Sequence, residues 1–301
     1  MQKVVFWVFS FVLLVSGAFA LGRAWSEKKQ NLAAQKNLDL DNGFSPAAFP
    51  LEHRSFVVFI CGYNNGAFVE KTLRSVFSQA YDAYRVIYID DASEDGSFEA
   101  ASDCIYLSGQ MLRVSAVKNE TRLGPIANLV RAVDTCKDDE IVVVLNGEDW
   151  LAHEWVLSSL NQYYADPDLW LTYGQFCEFP SYKPGSAKNY RQAEWERLRE
   201  APFAAGHLKT FYAGLFRKVS LEHLTQHGAF FPAALDLAVM LPMLEMAKEH
   251  FQFLPQILYI ANRHAPMQID PEVQARCEKI IRSFTPYQPL SSLVFSERES
   301  A

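Results

Sequence analysis

The chain has 301 residues, 50% of them hydrophobic and 14% aromatic, which is enough for one large core or at most two smaller ones. A net charge of −7 with no Lys/Arg-rich block argues against a nucleic-acid partner, because backbone binding needs a concentrated positive face. The five cysteines are odd in number, far apart and without C-x-x-C spacing, which excludes the usual zinc and dithiol motifs. They read as buried free thiols, with a Cys104–Cys136 disulfide as the other option.

In chain order, Val4–Leu21 is an apolar run interrupted only by Ser10, Ser16 and Gly17. Eighteen helical residues span about 27 Å, enough for a thin bilayer. Arg23, Lys28 and Lys29 beyond the run outnumber Lys3 before it, so a signal anchor would leave the rest of the chain cytosolic. Ala18-Phe19-Ala20 also has the form of a signal-peptidase site, so cleavage and export stand as the alternative. We divide the chain into this segment (1–23), a polar stem (24–54), a body (55–285) and a tail (286–301), the body having a first half to residue 150 and a second from 151.

Within the body, Ser55–Cys61 reads as a strand buried on both faces. Asn64-Asn65-Gly66 is a turn and cap, and Val69, Leu73, Val76, Phe77 and Ala80 then follow at helical spacing. Tyr84–Ile89 is a second strand, Phe98–Leu107 a helix, Leu112–Val117 a third strand and Pro125–Cys136 a helix opened by proline. Glu140–Leu145 is a fourth strand. The alternation predicts an α/β fold with a mostly parallel, Rossmann-like sheet flanked by helices.

Ligands of such sheets sit outside the carboxyl ends of the strands. Cys61–Asn65, Asp90–Ser93 and Asn146–Asp149 would meet at that rim, and carboxylates gathered there need a cation or donors to satisfy them. Neither G-x-G-x-x-G nor G-x-x-x-x-G-K-[ST] occurs, which argues against the usual dinucleotide and P-loop sites.

Residues 57–97 (VVFICGYNNGAFVEKTLRSVFSQAYDAYRVIYIDDASEDGS) closely resemble the opening of glycosyltransferase family 2, and NETRLGPIAN, VVVLNGEDWL, HLKTF and DLAVMLPMLEMA continue the likeness to about residue 265. The resemblance implies a GT-A type fold and inverting transfer of a hexosyl group from a nucleotide-diphosphate sugar, with UDP suggested, to a hydroxyl on a glycan, lipid or protein. It implies Mn²⁺ or Mg²⁺ held by Glu148 and Asp149, nucleoside contacts from Tyr63 and Asp91, and Asp236 as the general base. Cys61, Asn64, Arg122, Asn146 and Glu148 complete the donor-contacting set. A departing diphosphate develops negative charge that a hard dication neutralises, and the acceptor hydroxyl must lose a proton on the opposite face.

The sequence departs from the family in two places. Asn146-Gly147-Glu148 stands where Asp-x-Asp is common, and Cys61-Gly62 replaces Pro-Thr. The first departure sustains the rival reading of a non-catalytic member binding a glycan or protein. His207 and Lys209 are candidates for diphosphate or acceptor contact, and His264 for the diphosphate. Glu245 reads as buried, paired and structural. His223 and His227 have helical metal-ligand spacing but lack the Glu of H-E-x-x-H, and read as an exposed last helical turn stopped by Gly228. Residues 173–200, rich in Tyr, Pro and charge, read as a mobile acceptor-side segment.

Overall fold

The computed structural model describes residues 52–265 and 270–296. The N-terminal apolar segment and nearly all of the stem lie outside the described residues, and among the described residues no helix is long and apolar enough to cross a membrane.

Strands β1 (Phe56–Gly62), β2 (Tyr84–Asp90), β3 (Val114–Lys118) and β4 (Ile141–Asn146) alternate with helices α1 (Gly66–Phe77), α2 (Ser97–Leu107) and α3 (Pro125–Asp134). These four strands are parallel in the order β3-β2-β1-β4, with Phe56 opposite both Tyr84 and Ile141. β1 and β4 are central and buried on both faces, which is why FVVFIC and IVVVL are continuous apolar runs. α1 lays Val69, Thr72, Leu73 and Val76 on the sheet, as its 3.6-residue spacing requires.

The second half adds β5 (Trp150–Leu151), α4 (Val156–Tyr163), β6 (Leu171–Phe179), β7 (Lys183–Pro184), α5 (Gln192–Trp195), β8 (Lys209–Tyr212) and α6 (Ala213–Phe216). A β9 (Thr225–Gln226)–β10 (Ala229–Phe230) hairpin, α7 (Leu235–Ala247), β11 (Phe251–Asn262) and α8 (Pro271–Ser283) follow. β8 is antiparallel to both β4 and β6, β6 is parallel to β11, and β5 closes the far edge. The sheet order is therefore β3-β2-β1-β4-β8-β6-β11-β5, with β7 on β6. From Leu237 to Ala247 every residue of α7 is buried, so DLAVMLPMLEMA is apolar all round rather than amphipathic.

Three expectations change. Residues 173–179, read as part of a mobile segment, belong to β6 in the middle of the sheet. Their polarity is internal: Tyr173 accepts from the Tyr190 amide and donates to the Lys188 carbonyl, and Gln175 donates to Ala187. The His223/His227 spacing is not helical, since Leu221–His223 is a single 3₁₀ turn and His227, at φ +53°, turns the β9–β10 hairpin. His223 stacks on Phe284 at 4.6 Å. Residues 286–296, read as a tail, lie along the body: Leu290 N donates to Met246 O, and Phe295 packs on Tyr212. All five cysteines are free thiols, so no Cys104–Cys136 disulfide forms.

Glu245 is buried and paired. Arg199 reaches it with Nε (2.6 Å) and Nη2 (2.7 Å) and gives Nη1 to the Ile281 carbonyl, while the Tyr287 amide donates to Glu245 Oε2. This pair joins α7, α8 and the segments around 199 and 287. Removing one partner of a buried bidentate pair costs about 3–5 kcal/mol, because the other charge is left unpaired. Arg199→Met should lower stability by that amount in urea unfolding, and Arg199→Met with Glu245→Leu should recover most of it.

Candidate active site

The carboxyl ends of β1, β2 and β4 carry the predicted polar residues, and the turns there are built around Asn65. Its amide N–H donates to Ser97 Oγ (2.9 Å) and its side chain donates to the Gly147 carbonyl (2.5 Å). A Cβ on Gly147 would lie 2.6 Å from Asn65 Nδ2 and 2.7 Å from Gly62 Cα, and one on Gly62 would lie 2.7 Å from Asn65 Cγ. Both glycines are thus fixed by the Asn65 amide, which explains why the residue before Tyr63 is not the family's Thr. The single Thr72 hydroxyl proton is shared between the Gly147 and Asp149 carbonyls, seating α1 under the acidic turn. Asn64, at φ +50°, donates its amide to Ser93 Oγ and accepts from Glu94 N, locking the β1 and β2 turns together.

Asp91 is buried, and its carboxylate takes four donors: Asn119 Nδ2 (2.8 Å), Asn128 Nδ2 (2.8 Å), Leu123 N (2.9 Å) and Gly124 N (2.9 Å). Burial opposes ionisation, but these donors outweigh it and hold the group below the usual carboxylate range. Asp91 therefore ties down the loop at 119–124, which places the Arg122 guanidinium 3.8 Å from the Tyr63 ring centroid, with Arg122 Nε 4.0 Å from Asp91. Asn119, Asn128 and Arg131, which donates to Asn119 Oδ1, were not named from sequence as site residues; an amide pair nine residues apart beside a buried acid was the available signal. Burial, with Asp91 next, pushes the Cys61 thiol up to about 12, so it is an inert wall of the site.

After β4 the two acids divide. Asp149 is buried and accepts from Asn262 N (2.6 Å), Tyr259 Oη (2.5 Å) and Asn146 Nδ2 (3.0 Å). Burial raises its pKa, and the same three donors counter the rise. The Glu148 carboxylate meets only its own backbone amide among the described residues; burial first, then Asp149, pushes it up to about 7. A carboxylate so placed is stabilised by an arriving cation. No group of three or more His, Cys, Asp or Glu clusters as metal ligands among the described residues. The residues present suit a dication that takes one or two carboxylates and completes its shell with phosphate oxygens.

Asp236 lies in the first turn of α7, its side chain 41% exposed. Lys209 Nζ, 2% exposed, sits 2.9 Å from Asp236 Oδ1, and His207 Nε2 is 3.9 Å from Oδ2. Burial resists the charge on Asp236, but the Lys209 cation holds it below the usual range. His207 is driven down to about 3, by burial and then by Lys209, so its ring is neutral. That ring stacks on Tyr259 at 4.4 Å, and His207 Nδ1 is 3.2 Å from Lys209 Nζ. A continuous path of contacts thus runs Asp149–Tyr259–His207–Lys209–Asp236. Tyr259, within an apolar strand, was missed from sequence. His264 packs edge-on against Phe179.

A parallel α/β half with acidic turns at its carboxyl rim, continued by a mixed half that brings a further carboxylate to that rim, is a GT-A type fold. The family model "Glycosyl transferase family 2" matches residues 57–224, more than half of the chain, and the chain belongs to that family. Among solved structures it is similar to S. aureus TarS 1-349 in complex with UDP-GlcNAc, at TM-score 0.54 and 14% identity over 75% of this chain and 65% of that one. It is also similar to the mannosyltransferase PcManGT from Pyrobaculum calidifontis in complex with GDP-Man and Mn²⁺, at TM-score 0.52 and 18% identity over 83% and 68%. Among curated proteins, uncharacterized protein MT1568 of Mycobacterium tuberculosis is 28% identical over 113 residues, 37% of this chain and 33% of that protein. The match thus spans about a third of that relative's length.

Restoring the family's residue at position 62 should harm this protein. Gly62→Thr forces the Asn65 amide out of its place and should cost about 1–3 kcal/mol, as overpacking does. An unchanged urea midpoint would show that Asn65 does not hold the two turns together.

Proposed function

We propose that the enzyme transfers a hexosyl group from a nucleotide-diphosphate sugar, with UDP as the nucleotide, to a hydroxyl on a glycan, lipid or protein, inverting the anomeric carbon. The observation that carries this reading is Asp236: an ionised, partly accessible carboxylate on the acceptor side, joined by packed side chains to the acidic turn on the donor side. The nucleotide sugars in the TarS and mannosyltransferase complexes support such a donor, and Mn²⁺ in the second supports a divalent cation.

In this reading Tyr63, with Arg122 over its ring, offers the flat surface and cation that a nucleobase and its phosphates require, and Cys61 and Asn64 shape the turn beside it. Asp91 acts by holding that loop as well as by its charge. Glu148, with Asp149 behind it, would hold Mn²⁺ or Mg²⁺ together with the donor's phosphate oxygens, supplying positive charge for the departing diphosphate. Asn146 fixes Asp149 rather than adding charge. Asp236 takes the acceptor's proton, and Lys209 keeps it ionised until then. Residues 4–21 tether the protein to a membrane, with the catalytic unit on the cytosolic side.

Two measurements test these roles. Calorimetric titration of UDP should give binding that is tighter with Mn²⁺, and Glu148→Gln should remove the metal's contribution. Glu148 is the better probe than Asp149, whose loss would strand Tyr259 and the Asn262 amide. No UDP binding with or without metal would refute the donor assignment. With metal and donor saturating, so that Glu148 is already ionised, the acid limb of kcat/KM for the acceptor should lie below the ordinary carboxylate range, because Lys209 favours the ionised base. Lys209→Met should move that limb to higher pH, with activity lost first at low pH; an unmoved limb would remove Asp236 as the base.

A further inference from the structure

Four large apolar side chains are exposed within one short stretch. Tyr106, Leu107, Met111 and Leu112 are 67, 77, 56 and 105% exposed, and all fall within the seven residues that carry α2 toward β3. Scattered exposed apolar residues need no explanation, but four within one turn do. From Cys104 to Leu112 the chain carries no charge; Asp103 and Arg113 bracket it. Arg113 holds its guanidinium 4.4 Å from the Tyr84 ring centroid.

The backbone of the turn is largely self-satisfied. Ser108 N donates to Cys104 O, Gly109 N to Tyr106 O and Gln110 N to Ile105 O, while Arg113 N and Val114 N both donate to Gln110 O. Gly109, at φ +66°, makes the reversal between the two apolar pairs. A segment that enters the edge of a hydrocarbon layer must leave few unpaired amides, and it is commonly marked by aromatic and aliphatic tips with Arg at headgroup level.

The position of the turn fits the same surface. It opens β3, and Phe56 opens β1, with β2 between them and all three parallel. The turn and the point where the chain enters the body therefore share the amino edge of the sheet, about 10 Å apart at strand spacing. The chain entering there descends from the apolar run Val4–Leu21. The rim with Asp91 and Glu148 is at the other end of the strands, about 23 Å away for a seven-residue strand.

We propose that the α2–β3 turn dips into the surface of the lipid bilayer that holds residues 4–21, so that the amino edge of the sheet faces the membrane and the active rim faces away. This rests on the membrane reading of residues 4–21 and is independent of the donor and base assignments. The uncharged run from Cys104 to Leu112, with Arg85 and Arg113 beside it to meet headgroups, and its shared edge with the chain entry favour lipid over a protein partner. The acceptor hydroxyl is then presented from the aqueous side, by a glycan or protein rather than a headgroup of the same membrane.

The test uses the full chain in phosphatidylcholine–phosphatidylglycerol vesicles with brominated acyl chains. Leu112→Trp is compared with Tyr182→Trp, whose position is 66% exposed on the turn after β6, at the rim end. Leu112 is fully exposed, so its replacement leaves the fold intact. The added fluorescence at 112 should be quenched at least twofold more than that at 182. Equal quenching in protein that floats with the vesicles overturns the docking turn and leaves the anchor standing. Protein that does not float with them overturns both, while UDP titration judges the donor site separately.

Discussion

A buried carboxylate has to find donors, and Asp149 finds them on a strand more than a hundred residues away. Its oxygens take the Tyr259 hydroxyl and the Asn262 amide from β11 as well as the Asn146 side chain from its own turn. An unpaired acid at that depth would be expensive, so the end of β4 and the end of β11 are held together. That fixes the second half of the protein against the first. The acidic turn is in turn seated from below, where Thr72 and Asn65 on the α1 side donate to its carbonyls. Donor-side and acceptor-side elements therefore meet at one rigidly braced turn.

From this point the arrangement extends first by ring packing, then by a hydrogen bond and an ion pair. Tyr259 presents its face to His207, and His207 and Lys209 lie at the start of β8, the antiparallel strand inserted beside β4. Lys209 is almost wholly buried and finds its counter-charge in Asp236 at the head of α7. The neutral imidazole between the lysine and the tyrosine is what burial and a neighbouring cation dictate. The base candidate thus owes its ionised state to an ion pair.

The two carboxylates of the acidic turn show how neighbours in sequence acquire opposite characters. Asp149 is satisfied by protein donors and serves as a brace. Glu148, buried without such donors and repelled by Asp149, is pushed up to about 7, the condition of a ligand awaiting a cation. The departure from Asp-x-Asp has a local cause as well. Gly147 has no room for a Cβ beside Asn65 and Gly62, and Asn146 supplies the amide that Asp149 accepts. Gly62 and Gly147 are a matched pair set by one asparagine.

The strands, helices and acidic turns of the first half were legible in the sequence because each is a local pattern. Continuous apolar runs made β1 and β4, helical spacing made α1, and residues ending parallel strands had to gather at one rim. The buried fate of Glu245 was legible too, in an apolar helix that leaves a charge nowhere to go. Tertiary structure alone decided the rest. β6 was hidden because the partners that bury its tyrosines and glutamine, Tyr190, Lys188 and Ala187, lie on a returning segment. The spacing of His223 and His227 carried no information once a single 3₁₀ turn and a hairpin replaced the helix. The division of labour between Glu148 and Asp149, and the charge partner of Asp236, depend on donors and cations from other strands. Periodicity reports which face of a segment is buried; it is silent on which distant group will stand opposite a given oxygen.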